Sequence, residues 1–365
     1  MRSVRTLLAA AGILSAIASG PTGPGAQTLY RNPSGPITAF AQDGSLLAWF
    51  SPATHHCNAV HVVSLTGARA TLPKLSSSNV TCRWNAAAGQ TRLAVASGAG
   101  AALWTLHELG QVALDYVVGA DVAQPRERRF SQVAHTSGGA GLWLGGIAGD
   151  GSTLVYAVTD VAYVDQVACL SGGPCELRIV GGAVHRIVGR SDAVVPGAGP
   201  AVAVAAAAGR IAFVPARALG PHGLPLPSPN APVEVRDART GSFVADVQPQ
   251  GTPVGLALAP HVLALLERDG PTTRVAWYSP LDGAPLGGVR VPPRTSAHLA
   301  ASDRLVVYRV GRAVYGIDVA TGRVRKLVET AAAPIGLSLE GSRLAWAENI
   351  RGRGRIRALL VTGPG

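Results

Sequence analysis

An all-β chain built from a repeated four-stranded unit is the fold class this sequence predicts, and three observations predict it. The first is composition: 47% hydrophobic and only 15% charged residues, with 45 glycines and 26 prolines in 365 residues. Long amphipathic helical stretches are absent, and the mixture fits many short strands joined by tight turns. The second is the stretch QDGSLLAWFS (42–51), where an Asp-Gly pair stands between an apolar run and LLAWF. That is a strong short-range hairpin signal. The third is recurrence of the unit along the chain.

Related hairpins read IAGDGSTLVYAVTD from 147, LSLEGSRLAWAEN from 337, LAASDRLVVYRVG from 299, VAAAAGRIAFVPA from 204, ALAPHVLALLERD from 257 and WNAAAGQTRLAVASG from 84. A second strand–turn–strand half follows each copy, as in VEVRDARTGSFVADV and AVYGIDVATGRVRKLV. Calling the four strands A to D, copies of A and B begin near Ile37, Val80, Trp143, Ala201, Val254, Ser296 and Ile335. Four-stranded repeats of this length are β-propeller blades. The prediction is a single propeller of seven blades, with six or eight as alternatives to the count and two packed sandwiches as the alternative architecture. The last copy runs out of chain after its C strand, RIRALLVTG, whereas QTLYRNPS (27–34) has no partner. Thr28 to Asn32 is therefore expected to supply the missing D strand and close the ring, which removes an exposed sheet edge.

The motifs DGSLLAWFS, DGSTLVYAV and EGSRLAWAE resemble the repeat of TolB-like propellers, also called WD40-like or PD40 repeats. Gln42 and Gly149 stand where that repeat carries proline. YGIDVATGRV also looks like the repeat of quinoprotein-type propellers. The resemblance covers nearly the whole chain after its leader. It implies a periplasmic protein that binds protein partners.

The N-terminus predicts export. Arg2 and Arg5 precede an apolar stretch from Thr6 to Ile17, too short to span a bilayer comfortably, and Ala16-Ile17-Ala18 is an A-x-A cleavage pattern. The expected organisation is a signal peptide over 1–18, a flexible leader over 19–27 and the propeller over 28–365. Ala26 offers a second cleavage site, and an uncleaved anchor is the alternative. No later stretch looks transmembrane. The expected location is periplasmic or secreted. Four cysteines, an even number, suit an oxidising compartment. CLSGGPC brings Cys169 and Cys175 together around a turn, which leaves Cys57 with Cys82 as a second pair; their spacing matches no zinc pattern.

Long insertions fall in the connections expected on one face of the disc, the B–C and D–A side. They are SPATHHCNA in the first copy, ADVAQPRERRFSQVAHTSGG after the second, TDVAYVDQVACLSGGPC in the third and ARALGPHGLPLPSPNAP in the fourth. Long loops on a rigid scaffold commonly carry function. His55, His56, Arg126, Arg128, Arg129, Leu224, Arg351 and Arg353 are the candidate binding residues on that face. The net charge of +11 favours anionic partners, so an anionic envelope polymer or an acidic protein is expected. The basic segments lack interleaved aromatics, which argues against nucleic acid. A monomer is expected.

Signs of catalysis are few. The A strands, read as ITAFAQ, TCRWNA, WLGGIA, AVAVAAA, GLALAP, AHLAAS and GLSLEG, hold almost no carboxylates for a hard cation. Glu340 sits at their turn end. No G-x-S-x-G elbow, Walker motif or dinucleotide fingerprint occurs. No metal or cofactor is expected. A binding scaffold is therefore the predicted role. The alternative is a polysaccharide lyase or lactonase-like enzyme working at the channel mouth, where Arg83, Trp84, His135 and His298 are the residues available.

Overall fold

Short apolar runs punctuated by Gly, Asp and Pro become strand after strand in the computed structural model, which describes residues 26–31, 35–52, 58–65, 69–72, 92–108, 112–123 and 128–361. Strand β1 (Gln27–Arg31) is followed by β2 (Ala39–Asp43), β3 (Leu46–Pro52), β4 (Asn58–Ser64) and β5 (Arg69–Leu72). Next come β6 (Leu93–Ala96), β7 (Ala101–Glu108), β8 (Val112–Asp121) and β9 (Arg128–Thr136). Then β10 (Gly141–Asp150) and β11 (Thr153–Tyr163) lead into the one-turn helix α1 (Gln166–Leu170), β12 (Leu177–Val188) and β13 (Ser191–Val194). A small hairpin, β16 (Ala218–Leu219) with β17 (Pro225–Leu226), interrupts the set β14 (Ala201–Ala207), β15 (Arg210–Pro215), β18 (Val233–Asp237) and β19 (Phe243–Val247). The chain continues as β20 (Thr252–Leu258), β21 (Leu263–Asp269), β22 (Thr272–Tyr278) and β23 (Pro285–Val291), then β24 (Ala300–Ala301), β25 (Leu305–Val310), β26 (Ala313–Asp318) and β27 (Val324–Glu329). It ends with β28 (Ile335–Glu340), β29 (Arg343–Ile350) and β30 (Arg353–Leu360).

Antiparallel pairing sorts these strands into the sheets β2–β5, β14-β15-β18-β19, β20–β23 and β24–β27, plus an eight-stranded sheet β6–β13. The remaining large sheet has the order β1-β30-β29-β28. Its outer strand comes from the other end of the chain: Gln27 opposes Ala358, and Arg31 opposes Arg355. The closing strand expected from the sequence is thus in place, with bounds shifted by one residue.

Apolar clusters run from each sheet to the next. Phe50, Val62, Trp104 and Val118 join the first sheet to the eight-stranded one, and Leu305, Val314, Leu344 and Trp346 join β24–β27 to the last. Ile37, Phe40, Trp49, Ala347 and Ile356 close the circle between last and first. The class of fold is a β-propeller. Turn chemistry accounts for the hairpins. Gly44 takes φ +52, and a Cβ there would meet Ser97 Oγ at 2.7 Å. In the repeated D-x-x-T-G turns, Asp237 Oδ1 accepts from the N–H and hydroxyl of Thr240 at 2.6 and 2.8 Å. Asp318 Oδ1 does the same with Thr321 at 2.8 and 2.7 Å.

The second copy departs from the sequence reading. Its expected B strand, Leu93–Ala96, lines the central cavity as the innermost described strand of its set. The segment TCRWNA, expected in that place, lies outside the described residues. The supposed loop after the second copy contains strand β9, which pairs with β8 along its length. An outermost strand has a solvated edge, so RRFSQVAHT carries too many polar residues to announce itself as a strand.

Candidate functional site

Strands β2, β6, β10, β14, β20, β24 and β28 enclose a central cavity of about 1080 Å³. Their residues are small for a physical reason: the inner strands approach one another closely. A Cβ on Gly145 would stand 2.3 Å from the Ala201 carbonyl oxygen, and one on Gly149 would stand 2.5 Å from that of Val95. Val95, Ala148, Ala205, Ala257 and Leu339 supply the apolar part of the wall.

Carboxylates gather at the A–B-turn end, contrary to the expectation that almost none would reach the channel. Asp150, Asp303 and Glu340 line the cavity there. They staple neighbouring turns. Asp43 Oδ2 accepts from the N–H groups of Ser97 and Gly151 at 2.5 and 2.9 Å. Asp150 Oδ2 accepts from Ala208 N–H at 2.8 Å, and Asp303 accepts from both the backbone N–H and Nδ1 of His261 at 2.8 Å. Burial, then the nearby charges of Asp43 and Asp150, push Glu340 up to about 7, against the lowering effects of the Gly44 N–H and Arg343. Asp150 is also raised, first by burial.

Of the residues proposed for chemistry at the opposite mouth, His298 precedes β24. Burial and then the charge of Arg309 hold it below the ordinary histidine range. His135 stacks on Trp143 with ring centroids 3.6 Å apart and does not line the cavity. Arg83 and Trp84 lie outside the described residues, as do His55, His56, Cys57, Cys82 and Arg126.

The predicted binding residues divide between the two ends. Leu224 is exposed in the turn between β16 and β17, in the B–C connection of its sheet. Arg351 and Arg353 occupy the β29–β30 hairpin at the same end, Arg351 with φ +50 at the turn. Arg128 and Arg129 are corrected to the other end, because they begin β9 next to the C–D turn. The bond from Val122 N–H to Gly100 O, 2.7 Å, ties that turn to an A–B turn. There Arg129 lies over the Tyr116 ring, 4.9 Å from its centroid, and donates to Gln132 Oε1 at 2.9 Å. On the loop-rich end, Cys169 and Cys175 form a disulfide with Cα atoms 4.6 Å apart. Cys169 lies in the last turn of α1, and the bridge closes the segment that follows the helix. Helix α1 buries none of its residues and leaves Val167 75% and Leu170 79% exposed.

Sequence reasoning missed two buried glutamates in second strands. Glu267 accepts from the Tyr278 hydroxyl at 2.6 Å and from Gln250 N–H at 3.3 Å. Glu348 accepts from Arg355 Nε at 2.7 Å and from the N–H groups of Ala331 and Ala332 at 3.2 and 3.3 Å. Each ties down the connection entering its own sheet. A Glu directly after the apolar run of a second strand, in LALLE and LAWAE, was the available signal.

Among solved structures, the chain is similar to the β-propeller domain of Myceliophteria thermophila Cps50 (Swd1). The TM-score is 0.55 at 15% identity, covering 91% of this chain and 99% of that one. Puromycin hydrolase follows with a TM-score of 0.51 at 13% identity; 90% of this chain matches 52% of that one. BamB from Moraxella catarrhalis aligns over 88% of this chain and 85% of its own, at 11% identity and a TM-score of 0.44. Likeness at these identities concerns the fold alone. No protein-family model matches the chain, and no curated protein does.

Proposed function

We propose that this protein is an exported, non-catalytic binding scaffold of the TolB-like kind, a seven-bladed ring whose loop-rich end holds a protein partner. The observation that carries the reading is the exposure of Val164, Val167, Leu170 and Leu224 on that end, in connections rather than on the strands. Exposed apolar side chains grouped on one surface mark interaction sites. The disulfide that anchors the end of α1 and the hairpin under Leu224 preorganise them, which lowers the ordering cost of binding. Seven blades follow if the eight-stranded sheet is two blades, and its thinnest joint, the single residue pair Gly141–His135 between β9 and β10, supports dividing it there. The signal-peptide pattern over 1–18 and the cystine support export. Among the described residues, no helix is long and apolar enough to cross a membrane.

A photo-crosslinking amino acid at Leu224 or Val167 tests the reading, with Leu281, exposed on the turn end, as the control. Incubated with a cell-envelope fraction, the first two positions should yield a defined protein adduct and Leu281 none. An adduct from Leu281 alone, or from none of the three in a folded protein, overturns the choice of face. Hydrolysis or elimination of a polysaccharide or lactone that is lost in His298→Ala would overturn the non-catalytic role.

A further inference from the structure

The strand that closes the ring also completes a row of arginines. Side chains on β30 alternate between two sides. A Cβ on Gly354 would meet Ile37 at 2.5 Å, and Ile356 and Ala358 pack in the core shared with the first sheet. Arg353, Arg355 and Arg357 therefore share the other side, at alternate positions about 6.6–7 Å apart. Arg31 on β1 stands directly opposite Arg355 in the register and joins them. One carboxylate answers this row: Glu348 pairs with Arg355 at 2.7 Å and with Arg357 at 3.9 Å. Arg31 and Arg353 are exposed and enter no ion pair among the described residues. Arg357 Nη2 donates to the Ala26 carbonyl, but its Nε is buried without a hydrogen-bond partner.

Four guanidiniums set against one carboxylate leave the row with excess positive charge. The crowding is felt locally: burial, then neighbouring Arg355, then Arg31 beyond the opposing pull of Glu348, hold Arg357 below the ordinary arginine range. An anion seated between the side chains would relieve that repulsion. Guanidinium forks match carboxylate and phosphate alike. Either group can bridge two guanidiniums, as the Glu348 carboxylate does with Arg355 and Arg357, and in a phosphodiester-linked chain every linkage carries such a charged group with two free oxygens. The facing pair Arg31–Arg355, continued by Arg353 and Arg357, offers such bridges in series.

We infer that the outer two strands of the last sheet, along Arg31, Arg353, Arg355 and Arg357 on the side turned toward β24–β27, form a binding site for a phosphodiester-linked anionic polymer. This site is separate from the apolar surface of α1 and Leu224. Its failure would leave the protein-binding reading of that surface untouched.

The test uses the full chain and a fluorescently labelled poly(glycerol phosphate), followed by anisotropy over a salt series. Arg31→Gln with Arg353→Gln removes two charges and keeps the Glu348 pairs that hold the sheet. Arg190→Gln with Arg294→Gln makes the same charge change at exposed positions elsewhere. The patch variant should bind about tenfold or more weakly, with a salt slope shallower by about one or more. The control pair should stay within about twofold, with unchanged melting for both. Equal losses in the two variants would reduce the effect to net charge and overturn the site, as would no loss in either. Polygalacturonate bound as tightly as the phosphate polymer would overturn the phosphate assignment. Competition by glycerol phosphate monomer at equal phosphate concentration would overturn the polymer assignment.

Discussion

Glu340 gives the structure a pH signature that can be worked out in advance. It ends β28 at the seam between the last sheet and the first, faces Asp43 and Asp150, and has Arg343 as its cationic neighbour. Its folded value of about 7 lies above the ordinary 4.5. The folded protein therefore holds this proton more tightly than the unfolded chain does. The resulting stabilisation is fully present below about pH 4.5 and is lost as pH rises through about 7. At 1.36 kcal/mol per pH unit the full difference is roughly 3 kcal/mol. The carboxylate is partly open to the cavity, and solvent screening reduces the expected effect to about 1–2 kcal/mol. Asp150 is raised too and contributes with the same sign. Glu340→Gln fixes the neutral form. At pH 8.5 it should melt roughly 2 °C above the parent, and at pH 5 the two curves should approach each other. Differential scanning calorimetry at half-unit steps reads this directly. A parent whose stability is flat between pH 5 and 8.5, or a variant with the parent's full pH dependence, would refute the argument.

Two further predictions concern the staples. Glu348→Ala strands the partly buried Arg355 and leaves the Ala331 and Ala332 N–H groups without their acceptor. It should cost about 3 kcal/mol by urea unfolding, and a loss below about 1 kcal/mol would show that the connection holds without it. Gly139 has φ +95, and a Cβ there would stand 2.2 Å from the His222 carbonyl oxygen. Gly139→Ala should cost about 2 kcal/mol and speed amide exchange across 218–226, where Leu224 is presented. Unchanged exchange there would mean that the two loops do not support each other.

Much of the architecture was legible because it is written in short-range chemistry. Asp-Gly and Thr-Gly pairs set hairpins through backbone angles that neighbours do not alter, and four-strand recurrence turns those hairpins into a propeller. QTLYRNPS declared itself by being one strand too many at one end while the other end lacked one. Cys169 and Cys175 were paired by a six-residue separation and a turn. Other features depend on which strands meet at the axis. Leu93–Ala96 reads equally well as a first or a second strand, and only its place against the cavity decides. That placement carried Arg128 and Arg129 to the opposite end of the disc. Asp43 and Asp150 were visible as turn formers in their Asp-Gly pairs, but their carboxylates accept from turns in another sheet, at Ser97 and Gly151 and at Ala208. The arginine row needs Arg31 and Arg355, from opposite ends of the chain, in register on adjacent strands. Periodicity and turn residues act over a few positions and survive in the sequence alone. Charge clusters and staples arise from contacts between distant segments, so only the closed ring brings them together.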